Sequence, residues 1–419
     1  MLISFRIHNF RCVKDLCLDL QYAEGKAPNG YKTSLTYPFF EKIGKRVVPV
    51  LALYGANASG KTTILGALAS FRTLITNGWN LGLFMPNRLV KDAEEEILFS
   101  LSFLEQDQEF ELTASLNREG ICSEKLKAGN EVLYSIKSAQ WLEGDQRIKH
   151  VFDSETFRSR AFVAETKRQV RSFLMIATNE FPGLDSRLNL AYEGLTKVEF
   201  FSHHIQPPDG LKRLCETFEG SEQIQLQQAL DLVSEYLHKL DFRVQRLSCQ
   251  KEKMDISKVP EPLRPFIGAS ALSEIWRFQT YHLSESGGEV SFNLMEESQG
   301  TQNLVGILGI ILSAIRTGRT ILVDELDSSL HPLLVCELVK LFKYKELNPL
   351  KAQILFTLHN TDLLASSLLS VSEVGIISQE GFNGTQIRRI VEFEGCRNVD
   401  NFRKRYLQGF YRGIPYPYI

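Results

Sequence analysis

The stretch Val50-Leu51-Ala52-Leu53-Tyr54-Gly55-Ala56-Asn57-Ala58-Ser59-Gly60-Lys61-Thr62-Thr63 decides how the whole chain is read. An apolar run, a glycine-bounded turn and the first turn of a helix follow one another, the setting in which G-x-x-x-x-G-K-[ST] forms a phosphate cradle. A loop that wraps backbone N–H groups around a polyphosphate needs glycine where a side chain would block close approach or where φ must be positive. Gly55 and Gly60 are expected in those places. Lys61 is expected to reach the β- and γ-phosphates and Thr62 to set its hydroxyl on Mg²⁺. The helix that starts there adds its N-terminal dipole to the anion site. Ala56, Asn57, Ala58, Ser59 and Thr63 complete the nucleotide-binding stretch.

At 419 residues the chain exceeds one ordinary core, and two or three domains are expected. A net charge of -2 gives no global basic field, so any nucleic-acid contact has to come from a local patch. No apolar run approaches the ~18 residues that span a bilayer. Met1-Leu2-Ile3-Ser4-Phe5-Arg6 lacks the layout of a signal peptide. The 7 cysteines form no C-x-x-C pair and read as reduced thiols, so a cytoplasmic location without membrane contact is expected.

Outward from the phosphate loop, Leu2 to Ile7 and Leu16 to Leu20 alternate as a hairpin, residues 21 to 46 read as a surface insertion, and Thr62 to Leu74 as a helix. Alternating runs at 97–103, 109–116 and 132–136 predict an antiparallel sheet. Residues 154 to 240 turn helical and carry Arg158, Arg160, Lys167, Arg168 and Arg171, a phosphate grip or a solvated charged face. Strands are predicted at 242–247, 277–283 and 289–295, the last two joined through Ser286-Gly287-Gly288, and a helix over 303–317.

Thr320-Ile321-Leu322-Val323-Asp324-Glu325 is an apolar run ending in two acids, which suits a central parallel strand with its ligand-facing end at the acids. Asp324 is expected to hold Mg²⁺, and Glu325 to orient or deprotonate water in line with the γ-phosphate. Pro332 starts a helix, and Gln353 to Thr357 is a buried strand with His359 at its carboxyl end. A closing hairpin turns at Asn383-Gly384, and the aromatic tail from Asn401 to Pro415 is expected to dock on the body.

This order of pieces resembles the split ABC-type ATPase head of the SMC, RecF and OLD families. Asn9-Phe10-Arg11 matches their opening N-F-[RK], whose basic residue, here Arg11, lies near the nucleotide. Ser298-Gln299-Gly300-Thr301 stands for the ABC signature, Asp324-Glu325 for Walker B, Ser328-Ser329-Leu330-His331-Pro332 for the D-loop and His359 for the switch histidine. No glutamine is assigned to the Q-loop; Gln169 is one candidate. The spacing E-S-x-G-T, the form T-x-H-N-T-x-L-L from Thr357 to Leu364 and the tail motif from Tyr406 to Pro415 are similar to stand-alone ATPases of bacterial anti-phage systems, of the RloA, AbiL and AriA kind.

The resemblance implies an α/β fold: an ABC-type P-loop ATPase head with an antiparallel β subdomain and a helical insertion. Its parts are an N-terminal half over 1–150, the insertion over 151–240 and a C-terminal half over 241–419. It implies ATP and Mg²⁺ as cofactors, with Glu325, His359 and Lys61 catalytic. It also implies a head-to-tail dimer in which Ser298 and Gly300 of each copy cap the γ-phosphate bound by the other. The function implied is a defence ATPase that controls a separate effector, expected to be a nuclease, because the chain after His359 has no room for one. The alternatives are a RecF-like repair ATPase that binds DNA, and a nucleotide-gated assembly module with negligible turnover. A hexameric AAA+ motor is disfavoured because its arginine-finger and sensor elements are not recognisable, and a P-loop kinase because no acceptor site or lid is found.

Overall fold

The computed structural model describes residues 1–24, 39–40, 44–88, 96–163, 168–202, 205–240, 243–252, 275–366, 368–397 and 401–414. Most of the predicted insertion at 21–46 lies outside them. The chain forms two compact units, one of Met1–His203, Gly318–Asp327 and Val339–Ile419, the other of His204–Thr317 and Ser328–Leu338. The fold is the α/β class expected. Among the described residues no helix is long and apolar enough to cross a membrane.

The first unit is built on a six-stranded sheet in the order Val198–Phe201, Thr320–Val323, Gln353–Thr357, Val50–Gly55, Val374–Gln379 and Thr385–Arg389. The first five strands are parallel and the last closes the sheet as an antiparallel hairpin. Every residue of Thr320–Val323 and Gln353–Thr357 is buried, as their near-continuous apolar runs predict for strands covered on both faces. The edge strand Val198–Phe201 corrects the reading of residues 154 to 240 as wholly helical.

A second, antiparallel sheet of seven strands runs Gln140–Gly144, Glu131–Lys137, Ile121–Ala128, Gln108–Leu116, Ile97–Glu105, Leu2–Phe10 and Val13–Asp19. The N-terminal hairpin is therefore part of it. Helix Lys61–Asn77 lays its buried face on this sheet, with the Phe71 ring 6.0 Å from Phe5 and 5.7 Å from Phe99. Gln353 stitches the two sheets: its side-chain oxygen accepts from Leu2 N at 2.8 Å, and its amide donates to the carbonyls of Leu2 and Val48. A buried amide with several partners is satisfied where a lone one would be costly.

The helices that follow are set by side-chain caps: Asp145, Ser154, Ser172 and Asp185 each accept a backbone N–H of the first turn. Three of the basic residues named there are paired with acids, Arg160 with Glu180, Arg168 with Glu119 and Arg158 with Asp153, which suits the solvated-face reading. Lys167 lies outside the described residues. Deeper in the unit, Lys343 and Glu373 form a fully buried ion pair at 2.5 Å, and the Tyr22 hydroxyl donates to the other Glu373 oxygen at 2.7 Å. The tail docks as expected: the Tyr406 ring lies 5.9 Å from Tyr54, its hydroxyl donates to Gly413 O, and Tyr411 is buried.

The second unit holds helices Pro207–Cys215, Glu222–Lys239 and Gln299–Thr317 with a sheet of Arg246–Glu252, Ile275–Leu283 and Glu289–Asn293. Several boundaries differ from expectation. The strand predicted over 242–247 begins at Arg246 and runs on to Glu252. That predicted over 289–295 stops at Asn293, whose side chain accepts from Met295 N in a capping box with Glu296 and starts a 3₁₀ turn. The helix predicted from Asn303 begins at Gln299, because the Ser298 hydroxyl accepts from Thr301 N at 3.3 Å and the Ser298 carbonyl from Gln302 N.

Candidate functional site

The carboxyl ends of three neighbouring parallel strands, Thr320–Val323, Gln353–Thr357 and Val50–Gly55, release the chain into loops on one side of the sheet. That edge is where open α/β sheets keep ligands. Gly60 caps helix Lys61–Asn77 with φ 103°, a left-handed conformation, and a Cβ there would lie 2.5 Å from Thr385 Oγ1. Gly55 answers a different need: a Cβ on it would lie 2.5 Å from the carbonyl oxygen of Ile377 on the adjacent strand. The first intrahelical bond runs from Ile64 N to Gly60 O, so the N–H groups of Lys61, Thr62 and Thr63 stay outside the helical ladder. No acid stands in this first turn to compete for them.

Lys61 is largely buried, and its ammonium donates to the carbonyls of Gly55 at 2.7 Å and Ala56 at 3.1 Å. Burial lowers it from the ordinary lysine value, while Asp324, Glu325 and Asp327 pull it back up. The Thr62 hydroxyl donates to Asp324 Oδ2 at 2.8 Å, and the Thr357 hydroxyl to Asp324 Oδ1 at 2.6 Å. Thr357 Oγ1 in turn accepts from Glu325 N at 2.7 Å. Glu325 has φ 54°, and its Oε1 lies 3.1 Å from His359 Nε2. Asp327 Oδ2 accepts from the backbone N of His359 at 2.9 Å and of Asn360 at 2.6 Å, which fixes the turn that carries the histidine.

These groups surround a hollow of about 510 Å³ lined by Cys12, Asn57 to Thr63, Asp324, Glu325 and His359. The size is that of a small-molecule site. Among the described residues the Ser59 hydroxyl is buried without a hydrogen-bond partner. A partnerless buried hydroxyl beside outward helix N–H groups is what a polyphosphate would satisfy. Hydroxyl and carboxylate oxygens that meet at Thr62 and Asp324 are the hard donors Mg²⁺ takes. Among the described residues no cluster of three or more His, Cys, Asp or Glu could hold a metal by itself, so an ion here would depend on bound phosphates as well.

The geometry thus brings together Lys61, Thr62, Asp324, Glu325 and His359. Arg11 is not among the residues that line the hollow; its guanidinium lies 3.2 Å from the Met85 sulfur, and its neighbour Cys12 lines the wall instead. Ser298 and Gly300 belong to the other compact unit, at the start of helix Gln299–Thr317. Gln169 is buried away from the lining, with its amide donating to Arg171 O at 3.2 Å. Three contributors carried no assignment from sequence: Cys12, Thr357 and Asp327. Only the place of Thr357 at the end of a buried strand hints at its part.

No curated protein matches the chain. Among solved structures it is similar to an Smc head bound to the C-winged helix domain of ScpA, at 10% identity over 92% of this chain and 96% of that one, TM-score 0.46. It is also similar to the SMC head domain from Thermotoga maritima, at 12% identity over 93% and 98%, TM-score 0.42. A third is an Smc head with an extended coiled coil bound to the C-terminal domain of ScpA derived from Pyrococcus furiosus, at 11% identity over 92% and 95%, TM-score 0.44. These likenesses are too distant to bear on function. A family model described as "AAA domain, putative AbiEii toxin, Type IV TA system" matches residues 50–365, most of the sequence, and the chain belongs to that family of P-loop ATPases.

Proposed function

We propose that the protein is a Mg²⁺-dependent ATP hydrolase that serves as nucleotide-gated sensor and scaffold of a bacterial anti-phage system and controls a separately encoded effector, a nuclease. The observation that carries the catalytic part is the chain of contacts from Thr62 through Asp324 and Thr357 to Glu325 and His359 across one hollow. Thr62 and Asp324 would hold Mg²⁺, whose charge offsets that of the phosphates. Lys61 and the helix N–H groups bind the phosphate oxygens, Glu325 accepts a proton from water, and His359 holds the Glu325 carboxylate in orientation. Two copies close head to tail, and Ser298 and Gly300 of one complete the site of the other. The family's description as a putative toxin of a type IV TA system supports a function exercised together with a second component.

The test is particle mass with ATP and Mg²⁺, wild type against Glu325→Gln, each expressed with and without the neighbouring gene. Glu325→Gln is expected to retain ATP and to accumulate a larger closed particle that keeps the neighbour's product. A monomer that ignores both nucleotide and neighbour, and grows only when DNA is added, would transfer the protein to the repair class.

A further inference from the structure

The phosphate loop is backed by a segment that lies beyond the family-matched stretch. Strand Thr385–Arg389 begins at Thr385, a fully buried residue after the turn at Gly384. The Thr385 hydroxyl donates to the carbonyl of Ser59 at 3.0 Å. It accepts from the Gln379 side-chain amide at 3.0 Å, and the Cys12 sulfur stands 3.1 Å away. Thr385 N donates to Cys12 O at 2.9 Å, so the same residue ties the turn of the N-terminal hairpin to this wall.

We propose that Thr385 is a positioning residue of the nucleotide site: its hydroxyl sets the plane of the Ser59–Gly60 peptide. A trans peptide points its C=O and N–H in opposite directions. With the Ser59 oxygen held toward Thr385, the Gly60 N–H is turned the other way, away from the wall. The left-handed Gly60, φ 103°, then leads directly into Lys61 and Thr62. A hydroxyl has one proton to give. Because the Gln379 amide already occupies one of its lone pairs, the proton is directed to the carbonyl, the strongest acceptor within reach. The loop is thereby held in its phosphate-binding form before a ligand arrives, and preorganisation of this kind acts on affinity by sparing the cost of ordering. The inference rests on the nucleotide reading of the hollow.

The experiment titrates a fluorescent ATP analogue with Mg²⁺ into the wild type, Thr385→Val and Thr385→Ser, and follows ATP turnover and thermal melting of each. Loss of one directed hydrogen bond should weaken binding and raise KM by about 3- to 10-fold in Thr385→Val, with kcat at saturating ATP kept; Thr385→Ser should restore both. Gln379→Leu leaves the buried position intact and removes the amide that both orients the Thr385 hydroxyl and lies 3.5 Å from the Ser59 carbonyl, and it should weaken binding in the same direction by a smaller factor. Thr385→Val binding as tightly as the wild type, or Thr385→Ser binding as weakly as Thr385→Val, overturns the positioning role. If Thr385→Val fails to fold, Thr385→Ala, which removes the hydroxyl without putting a methyl in its place, overturns it by binding with wild-type affinity. A wild type that does not bind the analogue at all overturns the nucleotide reading itself, an outcome separate from the others.

Discussion

Glu325, like Ala58 in the same hollow, is a residue at which the fold accepts a local cost. A non-glycine residue at φ 54° lies in the left-handed region, a penalty of about 1–2 kcal/mol. What offsets it is Thr357, whose one hydroxyl accepts from Glu325 N and donates to Asp324. Thr357→Val keeps the shape and removes both bonds, leaving a buried carboxylate oxygen and the Glu325 N–H without this partner. With about 1.4 kcal/mol lost at the reacting geometry, turnover should fall by about tenfold, a difference that steady-state ATPase assays resolve. Turnover equal to wild type would show that Glu325 is oriented by other means. The sequence made the two acids legible because an apolar run ending in Asp-Glu is a strong local pattern. It could not show Thr357 as their link, since that contact is made between neighbouring strands 32 residues apart along the chain. Cys12 escaped notice for the same reason, being brought to the loop by strand pairing and not by any motif of its own.

At the scale of elements, strand Ile121–Ala128 went unread because Glu124 sits in its middle, where alternation calls for an apolar residue. The structure gives the reason for the acid. Its carboxylate accepts from the hydroxyls of Tyr134 at 2.7 Å and Ser172 at 2.8 Å, and from the N–H groups of Phe173 and Leu174 at the start of helix Phe173–Glu180. It is a helix cap supplied from a neighbouring strand. Burial pushes the Glu124 carboxyl above its ordinary value of 4.5, against the pull of Tyr134 and the helix N–H groups. Over the window between the two values the folded chain keeps a proton that the unfolded chain has lost. The stability linked to it is complete below the ordinary value and declines as pH rises through the window. Urea midpoints measured from about pH 5 to pH 8 should therefore fall more in the wild type than in Glu124→Gln, which does not titrate. Parallel curves would mean that the carboxyl ionises normally. Val198–Phe201 was missed for another cause: four residues that follow helix Ser186–Thr196 after Lys197 alone leave no room for a periodic signal. Thr320–Val323 is as short, yet its apolar run ending in two acids was legible, whereas the half-exposed edge strand was not.

For the molecule as a whole, segments far apart in the sequence meet at the phosphate loop. The N-terminal hairpin is anchored through Leu2 to Gln353, and its turn at Cys12 meets the C-terminal hairpin at Thr385, so the phosphate loop is walled by segments from either end. By contrast Ser298 belongs to the second compact unit, and its hydroxyl caps helix Gln299–Thr317 beside Gly300. If that helix start acts on the nucleotide of a second copy, two inactive variants must complement each other. Lys61→Ala lacks a working phosphate loop but keeps its own Ser298; Ser298→Arg keeps the loop but presents a blocked helix start to its partner. Each alone should be inactive in ATP turnover. In a mixed dimer the intact loop of one variant faces the intact Ser298 of the other, while the second site combines both defects, so a mixture should recover turnover from one site per mixed dimer and never the full rate. A mixture as inactive as its parents would mean that the copies do not share sites. Substantial turnover by Ser298→Arg alone would mean that Ser298 has no part in hydrolysis, and the helix it caps would then be a packing element only.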